Sequence, residues 1–376
     1  LVILVGSRRP VQEFYYKTQP CVAPLTIEMK SWLSLLLSLT LGQATAFQLA
    51  GNLFRSPSRA TSSLSVSFFA ETSKENRISE LRKYEFDGWN LTYRYKAASR
   101  GYENADPILL IHPVGIGLAS WFWERFMEEW RGPAIYAPNL IGCGISEGGD
   151  AWDPDVRGLS FPLSWARGCE VLLQSVETSP AIPGISIFGA TKSRKWTIMS
   201  QGGLAPVAVQ LASRNPDIID KLILASPPTW RDITTPVPES ELSRNYNFFR
   251  NPVWGRLAFQ ILESRGAIEF FSNKFLFSKP CDTKWLDRAE RELGVKARPP
   301  VMAFNSGFCV HRSFEEELVT LPQSTLILAG SGDKRQREEY VQRMKNCNLR
   351  VLPGLNVLPW ESPVETVEAV KAFLKV

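Results

Sequence analysis

Acyl transfer at neutral pH uses serine, histidine and aspartate, and this 376-residue sequence holds only two histidines, His112 and His311. In "WTIMSQGGLAPVAVQLA" (196–212) a short apolar run meets a serine, two glycines follow, and a helical pattern begins. A tight strand-to-helix turn of this kind lifts a hydroxyl above the end of a sheet. Ser200 is therefore the candidate nucleophile, with Gly202 and Gly203 letting the turn pack closely. The helix after it would turn its positive dipole end toward a developing oxyanion. A serine hydroxyl is a poor nucleophile without a base, so the chemistry depends on a nearby imidazole.

The elements that must hold these residues alternate. "YEFDGWNLTYRYKA" reads as a hairpin turning at Asp87-Gly88. "PILLIH", "PAIYAPNL", "KLILAS", "STLILAG" and "LRVLPG" read as strands, and the continuous apolar runs among them suit strands buried on both faces. "ASWFWERFMEEW", "SWARGCEVLLQSV" and the stretch carrying Leu204, Val207, Ala208 and Leu211 read as helices. Asn215-Pro216 stops the last of these, and Ser362-Pro363-Val364-Glu365 opens the final one as N-cap, N1 proline and N3 glutamate. Strands alternating with helices predict an α/β fold, a mostly parallel sheet sandwiched by helices. From about 231 to 318 the pattern turns helical and aromatic, as an inserted lid would. "GISIFGATKSRK" (184–195) fits poorly before the strand leading to Ser200, and reads as a surface excursion or an unspliced intron.

The net charge is +5, from 43 Lys+Arg and 38 Asp+Glu. Residues 1–70 hold six of the bases and two of the acids, leaving 37 bases and 36 acids, or +1, for the rest. Nucleic acid is not expected as a partner, and net charge does not indicate lipid contact. The six cysteines form no CxxC pair, so they read as ordinary buried thiols, and neither a metal nor a cofactor is expected. Within the first 75 residues, Lys30, the apolar run Trp32–Leu41 and Ala44-Thr45-Ala46 have the order of a signal peptide, 29–46, with 1–28 as upstream translated sequence. The alternative for this run is a buried helix. The stretch Phe47–Ala70 is rich in serine, carries two arginines and no acid, and with it 47–75 resembles a transit peptide. A signal peptide followed by Phe47 and such a stretch resembles the bipartite presequence of algal plastid proteins; the competing expectation is secretion.

Four motifs in order, "LLIHPVGIGLASWFWERF", "APNLIGCGISEG", "LILAGSGD" and "LPGLNVLPWESPVETVEAVKAFL", together with the serine turn, resemble the α/β-hydrolase superfamily, single-lid AB hydrolase-1 type, over 76–376. The resemblance implies a serine ester hydrolase, and the aromatic lid segments "NFFRNPVW" and "IEFFSNKFLF" suit an apolar ester, with plain core packing as the alternative for those aromatics. The resemblance also implies Val114 and Gln201 as the oxyanion amides and Asp333 as the triad acid, with Asp232 as an alternative acid position. Asp333 also reads as a loop aspartate capping the next helix. The resemblance brings departures as well. Asn139 stands in an acid's place, Ile198 stands where the turn has glycine, and Asn356 stands where the catalytic histidine is expected. Asparagine accepts no proton at neutral pH. The resemblance gives His112, on the oxyanion strand, the role of shaping that loop; His311, near the lid's exit, is the alternative base only by leaning over the pocket from above. Two functions stay open: a plastid hydrolase of weak or atypical activity, or a non-catalytic ligand-binding or scaffold protein on a hydrolase frame. The oligomeric state is not legible.

Overall fold

A computed structural model describes residues 78–152, 162–178 and 194–376. The expected upstream, signal-peptide and transit-like segments lie outside the described residues, as does 184–195 apart from Arg194 and Lys195.

The chain enters through β1 (Glu80–Phe86) and β2 (Trp89–Lys96), then β3 (Ile108–Ile111), α1 (Glu124–Glu129), β4 (Ile135–Pro138), α2 (Leu163–Thr178), β5 (Trp196–Gln201), α3 (Ala205–Arg214) and β6 (Ile219–Ala225). Next come the helices α4 (Trp230–Thr234), α5 (Glu239–Arg250), α6 (Trp254–Leu262), α7 (Arg265–Phe271), α8 (Thr283–Arg291), α9 (Arg298–Ser306) and α10 (Glu315–Thr320). The chain closes with β7 (Ser324–Gly330), α11 (Lys334–Arg343), β8 (Cys347–Leu352), α12 (Leu358–Glu361) and α13 (Pro363–Leu374). The eight strands form one sheet in the order β1-β2-β4-β3-β5-β6-β7-β8. β1 and β2 are antiparallel, β2 is antiparallel to β4, and the ladders from β4 through β8 are parallel. The α/β architecture expected from the sequence is the one observed.

The alternation of strand side chains explains the two covered faces. Leu109, Ile111, Ile198, Leu222 and Leu224 join one apolar cluster with α2 and α3 residues such as Leu172 and Val207. Ile108, Leu110, Met199, Ile223 and Ala225 join the other, with Phe126 and Met127 of α1 and Val367 and Val370 of α13. The β1–β2 hairpin turns at Asp87 and Gly88, both at positive φ (48° and 74°), which matches strand twist in a two-residue turn.

Two local expectations are corrected. "ASWFWERFMEEW" begins as a 3-10 turn, Ser120–Trp123, before α1. Its start is capped from a distance: the Ser120 N–H donates to Asn139 Oδ1 at 2.8 Å. Ser362 sits at the N-cap of α13 but makes no side-chain cap bond. Its hydroxyl instead donates to the Pro353 carbonyl at 2.6 Å. Among the described residues no helix is long and apolar enough to cross a membrane.

Candidate functional site

Every residue of β5 is buried, and the strand continues through Ser200 to Gln201. Ser200 pairs with Ile111 of β3 and Leu224 of β6, and Gln201 pairs with Ala225. Gln201 is extended, at φ −110° and ψ 131°. The left-handed residue of the turn is Gly202, at φ +63°. This corrects the expectation that the turn presents the Ser200 hydroxyl: Ser200 lies two residues before the apex, 1% exposed, and its Oγ has no hydrogen-bond partner. The registration removes one anomaly. With Gly202 at the apex, the small residue needed two positions earlier is Ser200 itself, and Ile198 is an ordinary strand residue, fully buried. It also moves the amide that follows the apex from Gln201 to Gly203.

Above this turn stands α9. The Phe304 ring comes so close that a Cβ on Gly203 would meet its Cζ at 2.4 Å, whereas a Cβ on Gly202 would meet nothing within 4 Å. The apex thus has room for a side chain that the sequence does not supply, and the next residue has none. Val114, the other expected oxyanion donor, is buried in the loop after β3.

The loops after β7 and β8 carry the remaining expected residues. Asn356 is half-buried; its N–H donates to the Leu276 carbonyl at 3.0 Å, and its carbonyl accepts from Gln201 Nε2 at 2.7 Å. The turn after β5 and the position expected to hold histidine are therefore in contact, though through Gln201 and the Asn356 backbone. Asp333 is the N-cap residue of α11, and its Oδ2 lies 3.9 Å from Arg337 Nη2. Arg337 is buried, which lowers its pKa, with Asp333 as the largest opposing influence. Asp232 is held by Thr229, whose hydroxyl donates to its Oδ2 at 2.6 Å while the Asp232 N–H returns to Thr229 Oγ1.

Neither histidine is placed as a base. His112 is fully buried, and burial pushes its pKa down to about 4. The Leu140 N–H donates to Nε2 at 3.1 Å, so Nδ1 carries the proton and donates to the Pro113 carbonyl at 2.8 Å. His112 thereby ties the β3 loop to the β4 loop. His311 is exposed and bonds the nearby Phe308 carbonyl through Nδ1, so it does not lean over a pocket. Asn139 holds three groups: its Nδ2 donates to Thr92 Oγ1 and Glu147 Oε2, and its Oδ1 takes the Ser120 amide. The Asn139 side chain fixes two loops in place.

Between the β3 loop and the insertion is a cavity of about 50 Å³, lined by Ile116, Leu118, Leu262, Phe271, Leu276 and Asn305 among others. Its wall is mostly apolar; of its two polar side chains, Ser272 takes the Trp285 indole N–H at 2.9 Å, whereas Asn305 Oδ1 is buried without a partner among the described residues. A larger cavity of about 510 Å³ lies beyond the other end of the strands, beside Asp106, Lys195 and Lys221. Sequence reasoning also missed Ser226. It is buried at the end of β6 with φ +45° and an unpartnered hydroxyl, and the only local signal is the Pro227-Pro228 pair that follows.

A profile described as "Alpha/beta hydrolase family" matches residues 108–369. No curated protein matches the chain. Among solved structures, a serine hydrolase involved in carbazole degradation (the CarC enzyme) aligns at TM-score 0.56 and 13% identity, over 79% of this chain and 99% of its own. The haloalkane dehalogenase DatA from Agrobacterium tumefaciens aligns at 0.56 and 16%, over 79% and 96%. The haloalkane dehalogenase DbeA from Bradyrhizobium elkani aligns at 0.57 and 16%, over 79% and 98%. These likenesses concern the fold. With the matched profile spanning more than half its length, this chain belongs to the alpha/beta hydrolase family.

Proposed function

We propose that this chain is a non-hydrolytic member of its family, of serine ester-hydrolase ancestry, that holds a small apolar ligand between the β3 loop and the helical insertion. The observation that carries the reading is Gly202 at the left-handed apex of the turn, where a nucleophile's side chain would stand. Asn356 at the expected base position supports it, because an amide takes no proton from a hydroxyl. The engagement of His112 with Leu140 and Pro113 supports it too. The mostly apolar wall and the unpartnered Asn305 oxygen suit a ligand with one hydrogen-bond donor. At about 50 Å³ the cavity holds little, so a ligand of ordinary size enters only if its lining side chains, such as Leu262, Phe271 and Leu276, move apart.

One observation favours the second reading, a weak serine ester hydrolase: the Ser200 hydroxyl is unpartnered. A fluorophosphonate probe separates the two. The first reading expects no labelling of the full chain, and hydrolysis of p-nitrophenyl esters no faster in wild type than in Ser200→Ala. Labelling that disappears in Ser200→Ala would falsify it. We also propose import into a plastid, supported by the order of Lys30, the apolar run, Ala44-Thr45-Ala46 and Phe47. A fluorescent fusion of residues 29–75 tests this, and secretion of the fusion overturns it.

A further inference from the structure

Helix α6 presents two unlike faces. Gly255, Ala258 and Phe259 are buried. On the other side Trp254 is 60% exposed, Leu257 is 43% exposed, and Val253, just before the helix, is 65% exposed. Val253 and Leu257 are four residues apart, so they lie one above the other with Trp254 alongside. No neighbouring element covers these three side chains among the described residues. The charge along this stretch of chain is one-sided. From Leu242 to Leu262 the chain carries Arg244, Arg250 and Arg256 and no acid at all. Arg244, Arg250 and Arg256 are exposed. The nearest acid along the chain, Glu263, is taken by Arg298, whose Nε and Nη2 donate to it at 2.7 and 2.6 Å. The +1 balance of the folded part conceals this local run.

We propose that α6, with Val253, is a docking surface for an anionic lipid bilayer. An interfacial helix needs an apolar face, a tryptophan at headgroup depth and basic residues at the rim. Val253 and Leu257 supply the first, Trp254 the second, Arg256 the third. The basic stretch Leu242–Leu262, without an acid of its own, selects this occupant over a second copy of the chain, because two such faces would bring like charges together. The surface is independent of whether the turn at Gly202 does chemistry.

The test is co-sedimentation of the full chain with vesicles of phosphatidylcholine, with and without one-third phosphatidylserine. Wild type is expected to bind the anionic vesicles and to lose binding as salt rises. Arg256→Ala is expected to lower partitioning about fivefold, and Trp254→Glu/Leu257→Glu more than tenfold. Because the altered side chains are exposed, unfolding midpoints in urea should stay close to wild type. Hydrogen exchange supplies a second readout, with residues 253–257 protected by anionic vesicles. Equal binding of wild type and the double variant overturns the proposal, as does equal binding to both vesicle types. A dimer of the full chain that Trp254→Glu dissociates also overturns it, in favour of a second copy.

Discussion

Gly202 and Gly203 are adjacent, and each carries a different constraint. Gly202 needs a left-handed backbone but has free space around its Cβ position, whereas Gly203 faces the Phe304 ring. Gly202→Ser should cost about 1 kcal/mol, the penalty for a side chain at positive φ. Gly203→Ala should cost more, about 1–3 kcal/mol, because the ring must be displaced. Urea unfolding of the two variants checks the order, and the reverse order would show that Phe304 does not press on the turn. His112 carries a pH prediction. Its folded pKa of about 4 lies below the ordinary histidine value, so the unfolded chain binds more protons between the two. Stability is therefore full above about pH 6.5 and lost as pH falls toward 4. From this group alone the loss at pH 5 should be about 2 kcal/mol. His112→Asn should flatten that part of a stability–pH profile.

The insertion is fastened to the sheet by buried charge. Arg288 of α8 donates to Glu124 of α1 through Nε and Nη2, and Arg94 of β2 lies 3.6 Å from the same carboxylate. All three residues are buried. Removing Arg288 takes two hydrogen-bond donors from a buried carboxylate and leaves it the more distant Arg94 and Lys284, at 3.6 and 3.7 Å. Arg288→Met should lower stability by about 3 kcal/mol, and adding Glu124→Gln should recover part of that loss. A urea double-mutant cycle measures both effects. Most of the individual elements were legible in the sequence, because buried parallel strands are continuous apolar runs and Asp87-Gly88 is a turn on its own chemistry. The start of the 3-10 turn at Ser120 and the idle cap at Ser362 were not. Each depends on a partner distant in sequence, Asn139 in one case and Pro353 in the other.

At the scale of the molecule, the loops after β5 and β8 meet, and the loop after β7 lies beside the latter, with the Ser331 N–H on the Gly354 carbonyl. If this frame has lost its chemistry by substitution alone, restoring two side chains should return part of it. Gly202→Ser combined with Asn356→His is expected to gain fluorophosphonate labelling at residue 202, and neither single change is expected to do so. Labelling at Ser200 in the double variant would mean that the turn's apex has been misplaced. Local pattern carried the order of strands and helices, the insertion between β6 and β7, and the want of an imidazole at position 356, since apolar runs, turn residues and side-chain identities are read residue by residue. That Gly202, and not Ser200, occupies the bend came from the assembled sheet. Where a strand ends depends on how far its neighbours hold it, and β6 pairs with β5 through Gln201. That register belongs to segments that no local pattern joins, so two residues of extra ladder moved the serine from the turn into the sheet.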